Sequence, residues 1–200
     1  MEQLRGLGRN GPLIAWGIGE SLNIDRQGGV VLPYHGPLPD YLSSFDLVGL
    51  RDWGTQYPWA PCPSCLLARF DEPPEISRHE IVVYEHKRIP VPIEGLPRLS
   101  NNGSDIEKVL SFLASAEVVI TNSYHGAYWA TLLGRRVVAI PNMSKMYRLR
   151  HAPVLSVAER WRRAVDLAEP YPKALAECRS ATLDFYDKVL TLIGSTSYSQ

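Results

Sequence analysis

The sequence predicts an α/β protein whose sheets are mostly parallel. Apolar runs of strand length alternate with helical patterns, and these runs are nearly continuous, as in strands that are buried on both faces. The clearest unit covers residues 118–140, where an apolar run leads through a polar cluster into a helical segment and then, after Gly134, into a second apolar run. This order predicts a strand, a crossover helix and a parallel strand.

The N-terminal part of the chain predicts two strands joined by irregular segments. Residues 12–18 (PLIAWGI) form a candidate buried strand, and Gly17 and Gly19 are placed to turn the chain at its end. A short helix is predicted at residues 41–45, and residues 47–50 form a second strand that ends at Arg51. Prolines exclude long regular structure from residues 53–63.

The remaining elements follow Pro73 and Pro74, which predict a linker and hence domains over residues 1–75 and 76–200. A strand is expected at residues 80–85, and a helix capped by Ser104 or Asp105 runs to residue 115. After the crossover unit, residues 154–166 predict a short helix, residues 172–192 a long amphipathic one, and residues 194–200 a frayed tail. The expected packing positions of the long helix are Leu175, Cys178, Leu183, Tyr186, Leu190 and Ile193.

The bulk composition excludes several classes of protein. The 21 basic and 21 acidic residues give zero formal net charge, which offers no general attraction to nucleic acid. No apolar run approaches the roughly 20 residues of a membrane-spanning helix, and the N-terminus lacks the apolar segment of a signal peptide. Three cysteines, an odd number, argue against a disulfide framework. We therefore expect a cytoplasmic protein with no membrane span and no nucleic-acid partner.

The polar cluster after residue 120 predicts an anion site. In open α/β sheets, ligands lie beyond the carboxyl ends of the strands, where a helix N-terminus favours negative charge. Asn122, Ser123 and His125 fall at that place, and His86 and Lys87 follow the end of another strand. An imidazole that titrates near neutrality suits acid or base chemistry, although His125 could instead only cap the helix.

Three further patterns are weaker indications of function than the polar cluster. Cys62 and Cys65 have the spacing of zinc and redox sites, but too few further ligands accompany them, so packing thiols and no metal site are expected. Gly17 and Gly19 lack the third glycine of a dinucleotide-binding loop, which favours a turn that needs a positive φ. The aromatic rings of residues 53, 57 and 59 suit either a sugar-stacking platform or closure of the core.

The same residues resemble a known family. The strand followed by TNSYHG, a helix, a second strand and Lys145 is similar to the signature of the polysaccharide pyruvyl transferase family, in which Ser-Arg-Leu-His-Gly or Ser-Phe-His-Gly precedes the helix. Residues 46–52, a strand ending in Arg51 and Asp52, and the cysteine-containing residues 59–66 also resemble family segments. The resemblance covers about residues 12–145, and its His-Gly unit is the most specific part.

The resemblance implies a fold and an activity. Family members transfer pyruvate from phosphoenolpyruvate to a sugar as a ketal, on a two-lobe fold similar to the GT-B glycosyltransferases. It therefore implies Rossmann-like parallel sheets in a GT-B-like arrangement, with a shortened N-terminal lobe, and a role in cell-surface polysaccharide assembly. The partners would be phosphoenolpyruvate and a saccharide acceptor, with no metal or organic cofactor, and membrane contact would come only through a lipid-linked acceptor.

The resemblance also assigns residues. It places His125 in the phosphoenolpyruvate site as the catalytic residue. Arg51 and Lys145 would bind the anionic donor. Ser123 departs from the Arg of many members, so either the cation comes from elsewhere or the ligand differs. A nucleotide-sugar glycosyltransferase and a non-catalytic binding or scaffold member remain the alternatives. The full set of expected substrate-binding residues is Arg51, His86, Lys87, Asn122, Ser123, Tyr124, Gly126 and Lys145.

Overall fold

The computed structural model describes residues 11–19, 26–27, 30–34, 36–72, 76–103 and 105–196. Three predictions fall outside these residues: the Pro73 and Pro74 linker, the Ser104 cap and the tail beyond residue 196. The division of the chain into two domains at residue 75 therefore stays a prediction. None of the helices in the described part of the chain is both long and apolar enough to cross a membrane.

Nine strands and four α-helices make up the described structure. The strands are β1 (Ile14–Ile18), β2 (Arg26–Gln27), β3 (Val30–Val31), β4 (Leu47–Leu50), β5 (His79–Glu85), β6 (Arg98–Ser100), β7 (Ala116–Thr121), β8 (Arg136–Ala139) and β9 (Val154–Leu155). The helices are α1 (Ile106–Ala114), α2 (Tyr124–Leu132), α3 (Trp161–Leu167) and α4 (Ala174–Thr196). Short 3-10 turns cover Asp40–Ser44, Pro63–Leu66, Ala68–Asp71, Ser144–Arg148 and Ala158–Arg160.

The larger sheet is entirely parallel. Its strand order is β6-β5-β7-β8-β9, and each neighbouring pair runs parallel. A second, two-stranded sheet pairs β1 with β4 in parallel, and β2 with β3 forms a short antiparallel ribbon. The predicted α/β class with parallel sheets is confirmed, and β7, α2 and β8 form the predicted crossover unit.

Helices cover both faces of the larger sheet, which explains the continuous apolar runs. Successive side chains of a strand point to opposite faces. Val119 packs with α1 and α2 in one cluster, whereas Val118 and Ile120 pack with α3 in another. All three are fully buried, which accounts for the unbroken apolar run in the middle of β7.

Helix α4 joins the two sheets. Its first turns place Ala174 and Cys178 in the core beneath the larger sheet. Further along, Phe185 and Val189 pack on the smaller sheet beside Ala60. The smaller sheet therefore shares its core with the C-terminal helix of the chain.

The predicted packing face of α4 is wrong at four positions. Leu183, Tyr186, Leu190 and Ile193 are between 45% and 51% exposed. Thr182, Phe185 and Val189 are buried in their place. The helix carries two apolar stripes with helical spacing, and only contact with the sheets decides which one is buried. It also extends to Thr196, so residues 194–196 are helical rather than frayed.

Four short strands were not predicted: β2 and β3, and two edge strands of the larger sheet, β9 and β6. Residues 154–155 form β9 instead of the start of a helix, and the helical part of the predicted segment begins only at Ala158. Strand β6 lies directly after a proline-spaced stretch and contains a single large apolar side chain. Both are edge strands of two or three residues, which carry too little apolar periodicity to be detected.

We predict that Gly49→Ala destabilises the contact between the smaller sheet and α4. A Cβ at this position would collide with the Phe185 ring and lie 2.7 Å from the Ala60 Cβ. Overpacking of this kind typically lowers the free energy of unfolding by about 1–3 kcal/mol, measurable by urea unfolding. Gly103→Ala is the control, because its Cβ would meet nothing within 4 Å. Equal stability of the two variants would contradict the tight packing of α4.

Candidate functional site

The turn between β7 and α2 is held by its own hydroxyl groups. Ser123 is the N-cap of α2, and its Oγ accepts a hydrogen bond from the Gly126 N–H at 3.3 Å. The Ser123 N–H in turn donates to Oγ1 of Thr121 at 3.0 Å. Ser123 is therefore occupied as a helix cap, which accounts for a small hydroxyl residue where many members of the resembled family carry Arg.

Gly126 lets α2 approach the sheet. A Cβ at Gly126 would collide with the Tyr84 ring and lie 2.6 Å from Oγ1 of Thr121. The glycine is buried, so the geometry accounts for it by packing between α2, β5 and β7. Its expected role in substrate binding stays a prediction.

Two cations gather around the ring of Tyr124. The Arg51 guanidinium carbon lies 4.5 Å from the ring centroid, and Lys145 Nζ lies 5.5 Å from it. Arg51 follows β4, Lys145 belongs to the turn Ser144–Arg148, and Tyr124 begins α2. The structure thus brings three of the expected residues together from distant parts of the chain, with a cation–π contact at the centre.

The Arg51 side chain retains hydrogen-bonding capacity. Its main chain is anchored, since the N–H donates to Ile18 O at 2.9 Å and the carbonyl accepts from Trp59 Nε1 at 3.1 Å. Its Nε is buried and has no hydrogen-bond partner in the described part of the chain. Gly19 makes room for this side chain, because a Cβ there would collide with Nε and lie 2.9 Å from Cγ.

Positive charge at this site is only partly compensated. In the described residues, neither Arg51 nor Lys145 forms a salt bridge with a carboxylate. Burial and the nearby charge of Arg51 lower the pKa of Lys145, while the buried Asp52 acts in the opposite direction. A bound anion would relieve this repulsion, since an opposite charge stabilises both cations.

His125 is neutral at physiological pH. Burial lowers its pKa from 6.5 to about 4, and the charges of Arg51 and Lys145 act in the same direction. Its ring is stacked on Trp129, with centroids 5.0 Å apart, and meets the Tyr124 ring edge-on at 5.5 Å. The imidazole is therefore a fixed, uncharged group beside two cations, suited to accept a proton when an anion is present.

The other expected residues lie on the β5 side of the turn. Asn122 accepts the His86 N–H with Oδ1 at 2.7 Å and donates from Nδ2 to Ile89 O at 2.8 Å. Its amide thus ties the turn after β5 to the turn after β7. The exposed Lys87 is held through its N–H by Asn101 Oδ1 at 2.6 Å. The ring and cation contacts around Tyr124 do not include His86 or Lys87, whose substrate-binding roles stay predictions.

Several residues at the site were missed by the sequence analysis. Asp52 affects the charge, Trp129 the imidazole position and Gly19 the space for Arg51. Asp52 and Gly19 belong to sequence patterns already described but were not predicted as site residues, and no motif marks Trp129. In the aromatic segment, the Arg150 guanidinium carbon lies 4.3 Å from the Trp53 ring centroid and 4.7 Å from that of Trp59. Sugar stacking and closure of the core both stay predictions for this segment.

The cysteines pack in the core or against it. Cys65 and Cys178 are buried, whereas Cys62 is half-buried and lies 3.1 Å from Ser64 Oγ through its Sγ. Within the described ranges, no cluster of three or more histidine, cysteine or acidic side chains is placed to hold a metal ion. The Gly17 turn has the expected positive φ, at 62°.

Comparison with known proteins gives one match. A family model described as polysaccharide pyruvyl transferase matches residues 40–144, which is more than half of the chain. The matched range contains Arg51 and the whole turn from Thr121 to Gly126, and it ends one residue before Lys145. No curated protein and no solved structure matches the chain.

The low pKa of His125 predicts a pH dependence of stability. The unfolded state takes up a proton on this residue near pH 6.5, whereas the folded state does so only near pH 4. The free energy of unfolding should therefore fall as the pH is lowered through this window, as measured by urea unfolding at several pH values. His125→Gln should lose this part of the slope.

The exposed His79 supplies the control for this experiment. His79→Gln should keep the slope of the unsubstituted protein. Identical slopes for His125→Gln and the unsubstituted protein would show that the imidazole is not desolvated at this site.

Proposed function

The chain belongs to the polysaccharide pyruvyl transferase family, and we propose that it transfers pyruvate from phosphoenolpyruvate to a pair of sugar hydroxyls as a ketal. One observation carries the proposal: Arg51 and Lys145 bring incompletely compensated positive charge to the Tyr124 ring at the N-terminus of α2. Such a site suits a small ligand with several negative charges. The reaction as proposed uses no metal ion and no organic cofactor.

Phosphoenolpyruvate carries its carboxylate and its phosphate ester on the same carbon atom. The planar guanidinium of Arg51 suits bidentate pairing with either group, and its buried Nε has no partner in the described structure. Lys145 supplies a compact second charge, and the first turn of α2 adds N–H groups and the helix dipole. These cations take the place of the Arg that many family members have at the Ser123 position.

The proposed chemistry moves two protons. The methylene carbon of phosphoenolpyruvate gains one proton, and the adjacent carbon becomes electron-poor and bonds to the first sugar hydroxyl oxygen. The bond from that carbon to the phosphate oxygen then breaks, and the second hydroxyl oxygen takes its place. Of the two protons that the sugar hydroxyls lose, one accounts for the proton gained by the methylene carbon, which becomes a methyl group. The other leaves with the phosphate.

His125 is the group proposed to handle these protons. Its neutral imidazole can accept a proton from a sugar hydroxyl, and the negative charge of the bound donor would raise its pKa and stabilise the imidazolium. The same proposal places the reaction in the cytoplasm, in polysaccharide assembly, with an acceptor carried on a nucleotide or a lipid. Its support is the family membership and the charge of the site.

We predict saturable binding of phosphoenolpyruvate by isothermal titration calorimetry. Arg51→Ala and Lys145→Ala should each weaken binding at least about tenfold, since a hydrogen bond to a charged group contributes about 1.5–3 kcal/mol. Arg88→Ala and Lys108→Ala are matched controls, because both side chains are exposed and lie on other elements. UDP is titrated in parallel.

Each outcome of the titration decides between the alternatives. Binding of phosphoenolpyruvate that is weakened by the two site variants and not by the controls would support the proposal. Binding of UDP alone would favour a nucleotide-sugar glycosyltransferase. If neither ligand binds, the enzymatic proposal fails and the non-catalytic alternative becomes the better account.

Donor binding should also take up protons through His125. In the protein without ligand, the pKa of His125 is about 4. A bound anion next to the imidazole should raise this pKa, so that binding is linked to protonation. Titrations near pH 6 in two buffers with different ionisation enthalpies measure the protons taken up. His125→Gln should reduce the uptake while His79→Gln does not, and this comparison removes the contribution of the ligand itself. Equal uptake in all three proteins would argue against His125 as the proton acceptor.

A further inference from the structure

A cavity lies at the edge of the larger sheet where its strands end, the edge that also carries the turn between β7 and α2. Its volume is about 310 Å³, and it is bounded by the turns that follow β5, β7, β8 and β9. Pro90 and Val91 contribute from the first turn, Asn122 from the second, Asn142 from the third and Glu159 from the last. None of these side chains belongs to the cation cluster around Tyr124.

The cavity and the cation cluster share two segments of chain. Asn122 lines the cavity, and Tyr124, two residues later, carries the cation contacts. In the same way, Asn142 lines the cavity and Lys145, three residues later, lies over the Tyr124 ring. The turn after β7 and the segment after β8 therefore contribute residues to both sites.

The charge of the cavity is opposite in character to that of the cation cluster. Among the described residues that line it, Glu159 is the sole charged side chain, and most of the others are proline, valine, isoleucine or alanine. An anionic ligand would meet the Glu159 carboxylate in the cavity, whereas Arg51 and Lys145 at the Tyr124 ring would attract it. The cavity consequently suits a neutral ligand with an apolar face.

Its polar groups further define the ligand. The amide of Asn122 already makes two main-chain contacts, one through Oδ1 and one through Nδ2. By contrast, Nδ2 of Asn142 is buried and has no hydrogen-bond partner in the described structure. A buried donor without a partner is costly, so a ligand oxygen that reaches it would be favoured, and the Glu159 carboxylate can accept from hydroxyl groups. A polyhydroxylated ring with an apolar face has these properties.

We propose that this cavity is the acceptor subsite, which holds a neutral sugar ring of the saccharide beside the bound donor. The assignment of the sugar as acceptor rests on the proposed pyruvyl transfer. Asn142 donates to a ring oxygen, Glu159 accepts from hydroxyls, and the proline and valine side chains pack on the C–H face of the ring.

Residue-resolved amide NMR of the full chain tests this assignment. The probes are methyl pyranosides of galactose, mannose, glucose and N-acetylglucosamine, each at about 10 mM so that millimolar sites are well occupied, and phosphoenolpyruvate separately. At least one pyranoside should shift the amides of Ile140 and Asn142 and those of residues 156–159. Phosphoenolpyruvate should shift those of Arg51, Tyr124, His125 and Lys145.

Variants test the named groups. Asn142→Ala should weaken binding of the pyranoside about three- to tenfold, the effect of losing one neutral hydrogen bond, and Glu159→Gln should also weaken it. Asn102→Ala and Glu169→Gln are the controls, because both residues are exposed and lie outside the cavity lining. All four variants should bind phosphoenolpyruvate as the unsubstituted protein does.

The outcomes separate this inference from the proposed function. Two results would overturn the subsite and leave pyruvyl transfer standing, provided that phosphoenolpyruvate shifts its own set of amides. In the first, no pyranoside shifts the amides of the cavity. In the second, the pyranosides shift only amides of the Tyr124 cluster. Pyranoside binding in the cavity without binding of phosphoenolpyruvate would overturn the acceptor role together with the proposed function. Equal weakening by the control variants would also overturn the roles of Asn142 and Glu159.

Discussion

The close packing of α2 on β5 and β7 is the constraint on which the site depends. It requires the absence of a side chain at Gly126, since a Cβ there would collide with Tyr84. The Ser123 cap begins the helix at the same point, so Tyr124 is buried with its ring beside Arg51 and Lys145. Moving α2 outward would separate the Tyr124 ring from both cations and carry His125 away from them.

Burial makes the site responsive to anions. Desolvation lowers the pKa of both His125 and Lys145, and the nearby Arg51 adds to the effect. The site therefore combines a neutral imidazole with two cations, and a bound polyanion would raise the pKa of both His125 and Lys145. Beside it lies a cavity with the opposite preference, lined by apolar groups and Glu159. The proposed reaction between an anionic donor and a neutral acceptor would use both sites.

Local patterns predicted the parts of the fold that depend on neighbouring residues. The crossover unit was predicted because β7 is buried on both faces and its apolar run is continuous. The Asp105 cap and the Gly17 turn are likewise properties of a few adjacent residues. The edge strands β6 and β9 are too short to show a period, and the buried stripe of α4 depends on which sheets it meets.

The sequence by itself determined the α/β class, the turn TNSYHG at a helix N-terminus and the family to which the chain belongs. These follow from residue order, because apolar periodicity, capping and motif spacing are local. The tertiary structure alone decided that Arg51 and Lys145 meet at Tyr124 and that His125 is neutral. It also decided that the Asn122 amide connects the turns after β5 and β7. Those properties arise from contacts between segments far apart in the chain, and from burial, which no local pattern specifies.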